Sequence, residues 1–464
     1  MNRDATTATT TRVSRRAVVA ASFGNGMEWY DFTVYAFFAG YISHNFFRDD
    51  DPGTALISTF VIFGTGFVAR PLGAVVIGLY GDRKGRKAAM MLSLSTMGAG
   101  TLLLVVAPPV AVIGLGAPAL LLVGRLLQGF SAGGEIGGAT AFLVEHAPPG
   151  RKARYAAWLQ ASMGICNLAA AAVGVALTTF ASESAMNAWA WRIPFALGLL
   201  IIPVGVYIRR HLPETEEFEK SKPERNEQET TPGRGPLVQL LTEYRGRVIT
   251  GFLFSVLWTV CVYTLVIYAP TYYESDAAGL GFTAQQSFLA SLVGNAVLVA
   301  GCLVAGRAAD TAGARRVLVA GALGLLVLPL PLLAWLHAQP AFPVLLLVHS
   351  LMCAGVAAFA GVAPSTLTRL FPVEVRSTGV ALSYNIAAMV FAGFTPALMA
   401  WAVGSLTVYA PALWVAFAAA ACLAAVPALF RVIPDSRSAV RPDRARSPAR
   451  PAHGQAGVGQ GDPS

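Results

Sequence analysis

The sequence has few charged residues. Only 13% of its 464 residues are Asp, Glu, Lys or Arg, whereas a soluble domain carries roughly 25%. Hydrophobic residues make up 55% of the chain, and the mean hydropathy is +0.57. A water-facing surface does not tolerate this composition, and a disordered chain is far less hydrophobic. The composition therefore excludes an ordinary soluble enzyme and predicts an integral membrane protein.

Cysteine and acidic residues are also scarce. The five cysteines lie in apolar segments and form no Cys-x-x-Cys pair, which argues against a disulfide framework and against a metal site. The 34 Lys and Arg exceed the 25 Asp and Glu and give a net charge of +9. No zinc-finger spacing accompanies this charge, so nucleic acid is not an expected partner. Cytoplasmic loops of membrane proteins collect Lys and Arg, which explains the basic balance better.

Long apolar runs fill most of the chain. A transmembrane helix needs ~20 apolar residues, so a chain of this length has room for about twelve such helices with their connections. We predict an all-α membrane protein whose twelve spans lie at residues 17–47, 56–80, 88–108, 117–145, 153–181, 190–211, 247–273, 283–306, 316–337, 341–370, 377–403 and 408–431.

Basic residues in the short loops predict the orientation of the chain. Lys and Arg concentrate near the N-terminus and after spans 2, 4, 8 and 10, whereas the other side has only Arg48 and Arg192. The positive-inside rule then places both termini in the cytoplasm. We expect the protein to be in the cell inner membrane. We expect a cytoplasmic tail, a six-helix bundle, a cytoplasmic linker, a second six-helix bundle and a disordered tail at 1–16, 17–211, 212–246, 247–433 and 434–464.

The two halves of the chain resemble each other. GLYGDRKGRK begins at Gly78 and GRAADTAGARR begins at Gly306, so that Asp82 and Asp310 hold equivalent places. Arg154 and Arg376 open spans 5 and 11 at nearly the same offset. Two parallel six-span repeats with a substrate site between them at mid-membrane are typical of one large group of transporters.

Two motifs carry a family resemblance. GLYGDRKGRK fits the pattern G-x-x-x-D-R-x-G-R-K, and RLLQGFSAG, which begins at Arg125, fits R-x-x-Q-G-x-x-x-G. Both resemble signatures of the major facilitator superfamily, which implies that fold of two six-helix pseudo-repeats. The copy of the first motif in the second half is degraded, because Thr311 and Ala314 replace basic residues.

A narrower resemblance extends over almost the whole chain. GNGMEWYDFTVYAF, GFVARPLG, WAWRIPF, LPETEEF and FPVEVRSTG look like the metabolite:proton symporter family. That resemblance implies symport of carboxylates or of zwitterions such as proline and betaine with protons. LLQGFSAGGEIGG, IYAPTY and GFTPALM look most like the citrate and tricarballylate carriers.

Five charged residues lie deep within predicted spans, away from the span ends, and all five are in the first half. A charge at a helix centre costs roughly 2.5–3.5 kcal/mol on insertion scales, so such residues mark candidate sites. They are Glu28, Asp31, Arg70, Arg125 and Glu135.

The acids among these residues are candidate proton carriers, and the arginines are candidate substrate ligands. Glu28 and Asp31 share a helical stripe, and Arg70 has a similar depth, so either acid can pair with it. A planar guanidinium keeps its charge and binds a carboxylate through two hydrogen bonds. We therefore assign proton coupling to Asp31, Glu28 and Glu135, and substrate binding to Arg70, Arg125 and Arg192. The alternative is a static ion pair that fixes helix packing.

Polar residues outside this set are weaker candidates for substrate binding. His44 ends span 1, and the resemblance also places a functional histidine in this setting. Neutral hydrogen bonds could come from five residues of the second half, Tyr268, Asn295, His349, Tyr384 and Asn385; of these, all but His349 are assigned to substrate binding. For each of these residues, simple packing between helices is the competing interpretation.

The loop after span 2 is the candidate gate. We place Asp82, Arg83, Arg86 and Lys87 there, where an acid can meet a helix end in one state and release it in another. Asp310 is the corresponding residue of the second half.

Together these observations predict a proton-coupled symporter that takes up a small carboxylate, most readily citrate or a related tricarboxylate. Alternatives are symport of a dicarboxylate or oxo acid, such as 2-oxoglutarate or shikimate, or of proline or betaine. A drug:proton antiporter or a non-transporting sensor fits less well, because span 5 lacks proline and the tails are short. We expect no enzymatic activity, no metal, no cofactor beyond the coupled proton, and a monomer.

Overall fold

The computed structural model describes residues 28–48, 51–84, 86–133, 135–145, 147–148, 150–200 and 236–433, together with Gly26 and Pro203. The described residues form helices and short connections, and no strand occurs among them.

The first half contains six helical spans. Span 1 is helical over 28–37 and continues as Ala39–Phe46. Span 2 is one long helix, Pro52–Lys84, with Pro71 inside it. Span 3 is Arg86–Val106, and span 4 consists of Gly116–Ala132 and Glu135–Glu145. Span 5 is Lys152–Phe180, and span 6 begins with the turn Ala190–Arg192 and is helical over 193–200. Two short helices lie in the connections between spans: Val110–Ile113 between spans 3 and 4, and Glu183–Ala188 between spans 5 and 6.

The second half repeats this arrangement after a short helix, Pro236–Thr242. Span 7 is Arg245–Val262 with a π-helical turn, Tyr263–Ile267, and is followed by the short helix Ala269–Glu274. Span 8 is Ala284–Ala312, and span 9 is divided into Ala314–Val327 and Pro329–Ala338. Span 10 comprises Phe342–Ala360 and Ala363–Arg369; span 11 comprises Arg376–Ala387, a π-helical turn Ala388–Ala392, and Thr395–Ser405; span 12 is Ala410–Val432.

The predicted fold of twelve spans in two halves is confirmed. Eight of the helices in the described residues are long and apolar enough to cross a membrane. Spans 1, 4 and 6 fall short because parts of them lie outside the described residues. Span 3 falls short because its apolar part is only Met91–Val106.

The two halves contact each other along several pairs of spans. Span 5 packs along spans 8 and 10, and span 11 packs against spans 2 and 4. We call the end of the bundle with the connections after spans 2, 4, 8 and 10 the basic face, and the other end the far face.

The candidate gate differs from its predicted loop. The backbone is helical over 81–84 and again from residue 86, so Asp82, Arg83, Arg86 and Lys87 lie on helix ends and not in an extended loop. In the predicted linker 212–246, residues 236–242 are helical; its remainder up to 235 and the two tails lie outside the described residues.

Small residues bring spans 2 and 4 into backbone contact. A methyl group added at Gly129 would come within 1.7 Å of the Gly66 carbonyl oxygen, and one at Gly133 within 2.0 Å of the Arg70 carbonyl oxygen. Both are the glycines of the motif that begins at Arg125. Their lack of a side chain permits the close approach, and this approach brings Arg125 beside Arg70.

Candidate functional site

Arg70 of span 2 is paired with Glu28 of span 1 in the interior. Its Nη2 donates to Glu28 Oε1 at 3.2 Å, and the two residues are only 2% and 7% exposed. The guanidinium lies 4.8 Å from the Phe32 ring centre and 4.3 Å from that of Phe67. Of the two pairings that the sequence left open, the structure thus contains Glu28–Arg70.

Asp31 belongs to a separate hydrogen-bond network. The Thr101 hydroxyl and, at 3.4 Å, the Gln128 amide both donate to its Oδ2. Arg125 donates from Nη1 to Gln128 Oε1 at 2.7 Å. The Gln128 amide therefore links Arg125 to Asp31 through hydrogen bonds. Asp31 and Arg125 make no ion pair with each other among the described contacts. Span 6 approaches here through Gly198, where an added methyl group would lie 2.7 Å from Asp31 Oδ1.

Arg125 is enclosed by aromatic rings. Its guanidinium carbon lies 4.3, 4.5 and 4.8 Å from the ring centres of Phe32, Tyr35 and Phe63. Desolvated cation–π contacts of this kind contribute ~2 kcal/mol. Its Nε and Nη2, and Nε of Arg70, have no hydrogen-bond partner within the described part of the chain. The site thus presents buried N–H donors that an anion can use.

The second half faces these charges with neutral groups. Tyr263, in the π-helical turn of span 7, packs 5.7 Å from Trp29 and 5.4 Å from Phe67 between ring centres. Tyr263 and Tyr384 both interact electrostatically with Arg70 and Glu28. π-Helical turns in α-helices often occur at functional sites, and this one places Tyr263 opposite the buried charges.

Four residues predicted for substrate binding lie away from this cluster. His44 is exposed at the far-face end of span 1. Arg192 donates to the carbonyl oxygens of Ala188 and Ala107 at 3.1 and 3.0 Å, and so bridges the ends of spans 6 and 3. Tyr268 packs against Phe60, and Asn295 donates to Ser291 within span 8. Their role in binding stays a prediction.

Two further predicted residues contact the other half, Asn385 deep in the bundle and Asp310 near the basic face. Asn385 of span 11 donates to the Gly133 carbonyl oxygen of span 4 at 3.1 Å. Asp310 of span 8 accepts hydrogen bonds from the backbone N–H groups of Ala153 and Arg154 at 2.9 and 3.1 Å. A carboxylate at the N-terminus of a helix is favoured by the helix dipole. The basic face also has an ion pair between Arg376 and Glu145 at 2.8 Å.

The remaining predicted site residues are four gating candidates and one acid. The side chains of Asp82, Arg83, Arg86, Lys87 and Glu135 lie outside the described residues, although their backbones are helical. Among the described residues, no cluster of three His, Cys, Asp or Glu side chains suits a metal ion.

Sequence reasoning missed several residues of the site. Gln128 lies inside the motif that begins at Arg125, three residues further on, so its spacing was a usable signal. No sequence motif marks Thr101, Tyr263 or the pair Trp258–Gln160, whose side chains are joined by a 2.9 Å hydrogen bond. Their importance comes only from which residues face each other across the bundle.

These features define a multi-pass membrane transporter with two six-helix halves and buried charges between them. The chain belongs to the Major Facilitator Superfamily, whose sequence profile matches residues 21–311; a profile for sugar and other transporters matches residues 215–432. It is therefore a transporter and not an enzyme.

Relatives and solved structures agree with this assignment. The chain is 37% identical to a citrate–proton symporter of Klebsiella pneumoniae over 93% of this chain and 94% of that protein. It is 33% identical to a putative proline/betaine transporter of Staphylococcus haemolyticus over 86% and 84% of the two chains. The crystal structure of a D-xylose–proton symporter shares the fold with a TM-score of 0.71 at 17% identity, covering 90% of this chain and 98% of that one.

Proposed function

We propose that the protein takes up citrate or a related tricarboxylate together with protons, by alternating access between its two halves. The observation that carries this proposal is the pair of buried guanidinium groups, Arg70 and Arg125, with N–H donors left unused by the described residues. A polyanion that enters a site of low dielectric needs such donors. The similarity to citrate–proton symporters supports the same substrate.

The Glu28–Arg70 pair suggests how the proton is coupled. A substrate carboxylate and Glu28 compete for the same guanidinium, since Arg70 Nη2 already donates to Glu28. A buried carboxylate that loses its partner is costly as an anion and takes up a proton instead. Substrate binding at Arg70 therefore favours protonation of Glu28. Asp31, which is held by Thr101 and Gln128, positions Arg125 and is the second candidate proton site.

The basic face is the cytoplasmic face in this proposal. The positive-inside rule favours this orientation, which places both termini in the cytoplasm. We propose that the protein is a monomer in the inner membrane of the cell. The coupled proton is the only ion required, and we propose no cofactor. Asp310, and Asp82 with its basic neighbours, act as the gate on this face.

Uptake of radiolabelled citrate into proteoliposomes tests the function. An inward proton gradient should accelerate uptake in the wild type. Arg70→Ala should lower uptake by at least about 100-fold, because the loss of a buried charge-assisted contact costs ~3 kcal/mol or more. Arg316→Ala, which removes an exposed arginine of the basic face, serves as the matched control and should retain uptake. Uptake that is independent of the proton gradient would refute proton symport.

Symport of proline or betaine is the second candidate. The similarity to proline/betaine transporters favours it, as do the aromatic residues near the site, since aromatic rings bind quaternary ammonium groups. Against it, Phe32, Phe63 and Phe67 already stack on guanidinium groups. A thermal-shift panel separates the two candidates: citrate and tricarballylate should stabilise the protein, and stabilisation by zwitterions alone would favour the second.

A further inference from the structure

The far face is closed by contacts between the two halves. Phe288 of span 8 inserts between span 1 and span 5, with its ring centre 5.2 Å from that of Phe38 and its side chain against Gly174. Nearby, Thr271 donates to the Ala36 carbonyl oxygen at 3.5 Å. Gln285 donates to Thr179 at 3.0 Å on the outer edge of the same contact. We call this contact between spans 1 and 5 and spans 7 and 8 the far gate.

An acid lies at the edge of the far gate. Glu274 ends the short helix that follows span 7, and it interacts electrostatically with Tyr41 of span 1. Its Oε1 atom is buried and has no hydrogen-bond partner among the described residues. Ser287, at the start of span 8, is the group whose side chain favours the ionised form of the Glu274 carboxylate. Glu274 thus lies one helical turn from Thr271, the residue that donates to span 1 where the gate closes.

No described positive charge compensates Glu274. The groups that act on it are the neutral Tyr41 and Ser287, and the exposed Asp276 follows it by two residues. On the facing elements, the acid Glu183 also acts on Tyr41, and the exposed His44 lies one helical turn beyond Tyr41. Glu274 lies beyond the apolar stretch Arg245–Ile267, and burial raises the pKa of its carboxyl group to about 8. The closed gate therefore favours the neutral carboxylic acid.

We propose that Glu274 is a proton-binding site that controls the far gate: the gate closes when Glu274 holds a proton and opens when it is ionised. The proton comes from the solution on the far side and is bound by the carboxylate oxygen. Because an open gate returns Glu274 to water, the pKa of its carboxyl group then takes its ordinary value of ~4.3. Falling pH on that side accordingly drives closure.

The size of the effect follows from linkage. The closed gate binds one more proton than the open gate over the range between the two pKa values, so the ratio of open to closed gates changes by at most about tenfold per pH unit. The proposal uses the orientation given above, in which the far face is the outer face. It does not depend on which carboxylate is carried, since gate closure is measurable without substrate.

Accessibility of a cysteine in the gate tests the proposal. Thr271→Cys introduces a thiol that the closed gate buries, and Ser184→Cys introduces an exposed reference thiol on the same face. Spheroplasts are treated with a membrane-impermeant maleimide between about pH 5.5 and pH 7.5, and labelling of each site is quantified by peptide mass spectrometry. The reference corrects for the pH dependence of the thiol itself. The ratio of labelling in Thr271→Cys to labelling of the reference should rise strongly with pH.

Glu274→Gln should abolish this rise, because an amide mimics the protonated acid, and Glu274→Asp should retain it. Glu183→Gln is the matched control: it removes an exposed acid that also acts on Tyr41 and should leave the pH dependence intact. An unchanged pH dependence in Glu274→Gln, or a flat ratio in the protein that carries Glu274, would overturn the proposal. Absence of label at the Ser184→Cys position would refute the orientation on which it relies.

Discussion

At the scale of residues, the two buried arginines have different partners. Arg70 has a direct carboxylate partner in Glu28, whereas Arg125 reaches Asp31 only through the Gln128 amide. A buried ion pair is weak support for stability, because desolvation offsets the attraction. A purely structural role therefore does not explain why both Arg70 and Arg125 are buried in one place. An exchange of hydrogen-bond partners during transport explains the burial of both arginines.

The two acids should differ in their effect on coupling. Glu28→Gln removes the group that competes with substrate for Arg70, so we expect substrate exchange across the membrane to continue while gradient-driven accumulation falls by at least about tenfold. Asp31→Asn should impair exchange and accumulation together, because it disturbs the hydrogen bonds that position Arg125. Counterflow and gradient-driven uptake measured side by side distinguish these outcomes.

Asp51→Asn is the control for both changes. Asp51 is exposed and accepts hydrogen bonds only from Gly53 and Thr54 of its own turn among the described residues. Its replacement should alter neither measurement. Equal loss of exchange in Glu28→Gln and Asp31→Asn would contradict the competition between Glu28 and substrate.

At the scale of elements, the glycines of span 4 decide where the charges lie. Gly129 and Gly133 are spaced four residues apart and so lie on one face of the helix. Their backbone contacts with span 2 bring the carbonyl groups of Gly66 and Arg70 against span 4. The motif that contains Arg125 and Gln128 therefore combines a helix-packing surface with two polar groups of the site.

Gly129→Ala should destabilise the protein, because the added methyl group would overlap the Gly66 carbonyl oxygen. Overpacking of this kind costs typically ~1–3 kcal/mol. We expect a lower Tm in detergent and a reduced yield of monodisperse protein. Gly138→Ala is the matched control, since among the described residues no atom outside the glycine's own stretch of helix lies within 4 Å of the added carbon there. A Tm unchanged in Gly129→Ala would show that spans 2 and 4 pack differently.

At the scale of the whole molecule, contacts between the halves occur at both ends of the bundle. On the basic face, Asp310 accepts two hydrogen bonds from the start of span 5, and Arg376 pairs with Glu145. These two contacts differ in strength. Glu145 is 39% exposed in its side chain, and partly exposed ion pairs contribute about 0–1 kcal/mol. The Asp310 carboxylate, in contrast, lies at the N-terminus of span 5 and is stabilised by the dipole of that helix.

Asp310→Ala should therefore weaken closure of the basic face more than Glu145→Gln does. We expect the initial rate of uptake to fall by about tenfold or more in Asp310→Ala, which corresponds to ~1.4 kcal/mol, and to change by less than about twofold in Glu145→Gln. Asp310→Glu, which keeps the charge, should recover part of the rate. An equal effect of the two removals would argue against a gating role for Asp310.

The orientation of the molecule has its own test. An alkaline phosphatase fusion at the C-terminus should be inactive, and an insertion in the connection between spans 1 and 2 should be active, because the enzyme folds only outside the cytoplasm. The reverse result would place the basic face outside, contrary to the positive-inside rule.

The sequence by itself determined the membrane location, the twelve spans and the two repeated halves. These features depend on hydrophobic runs, loop charges and motifs, all of which are local along the chain. It also identified Glu28, Asp31, Arg70 and Arg125, because a charge within a span is costly wherever it lies. Only the tertiary structure decided that Glu28, and not Asp31, pairs with Arg70. It alone also brought Thr101, Gln128 and Tyr263 into the site and placed Glu274 at the far gate, because contacts between spans depend on how the helices pack and not on spacing within any one helix.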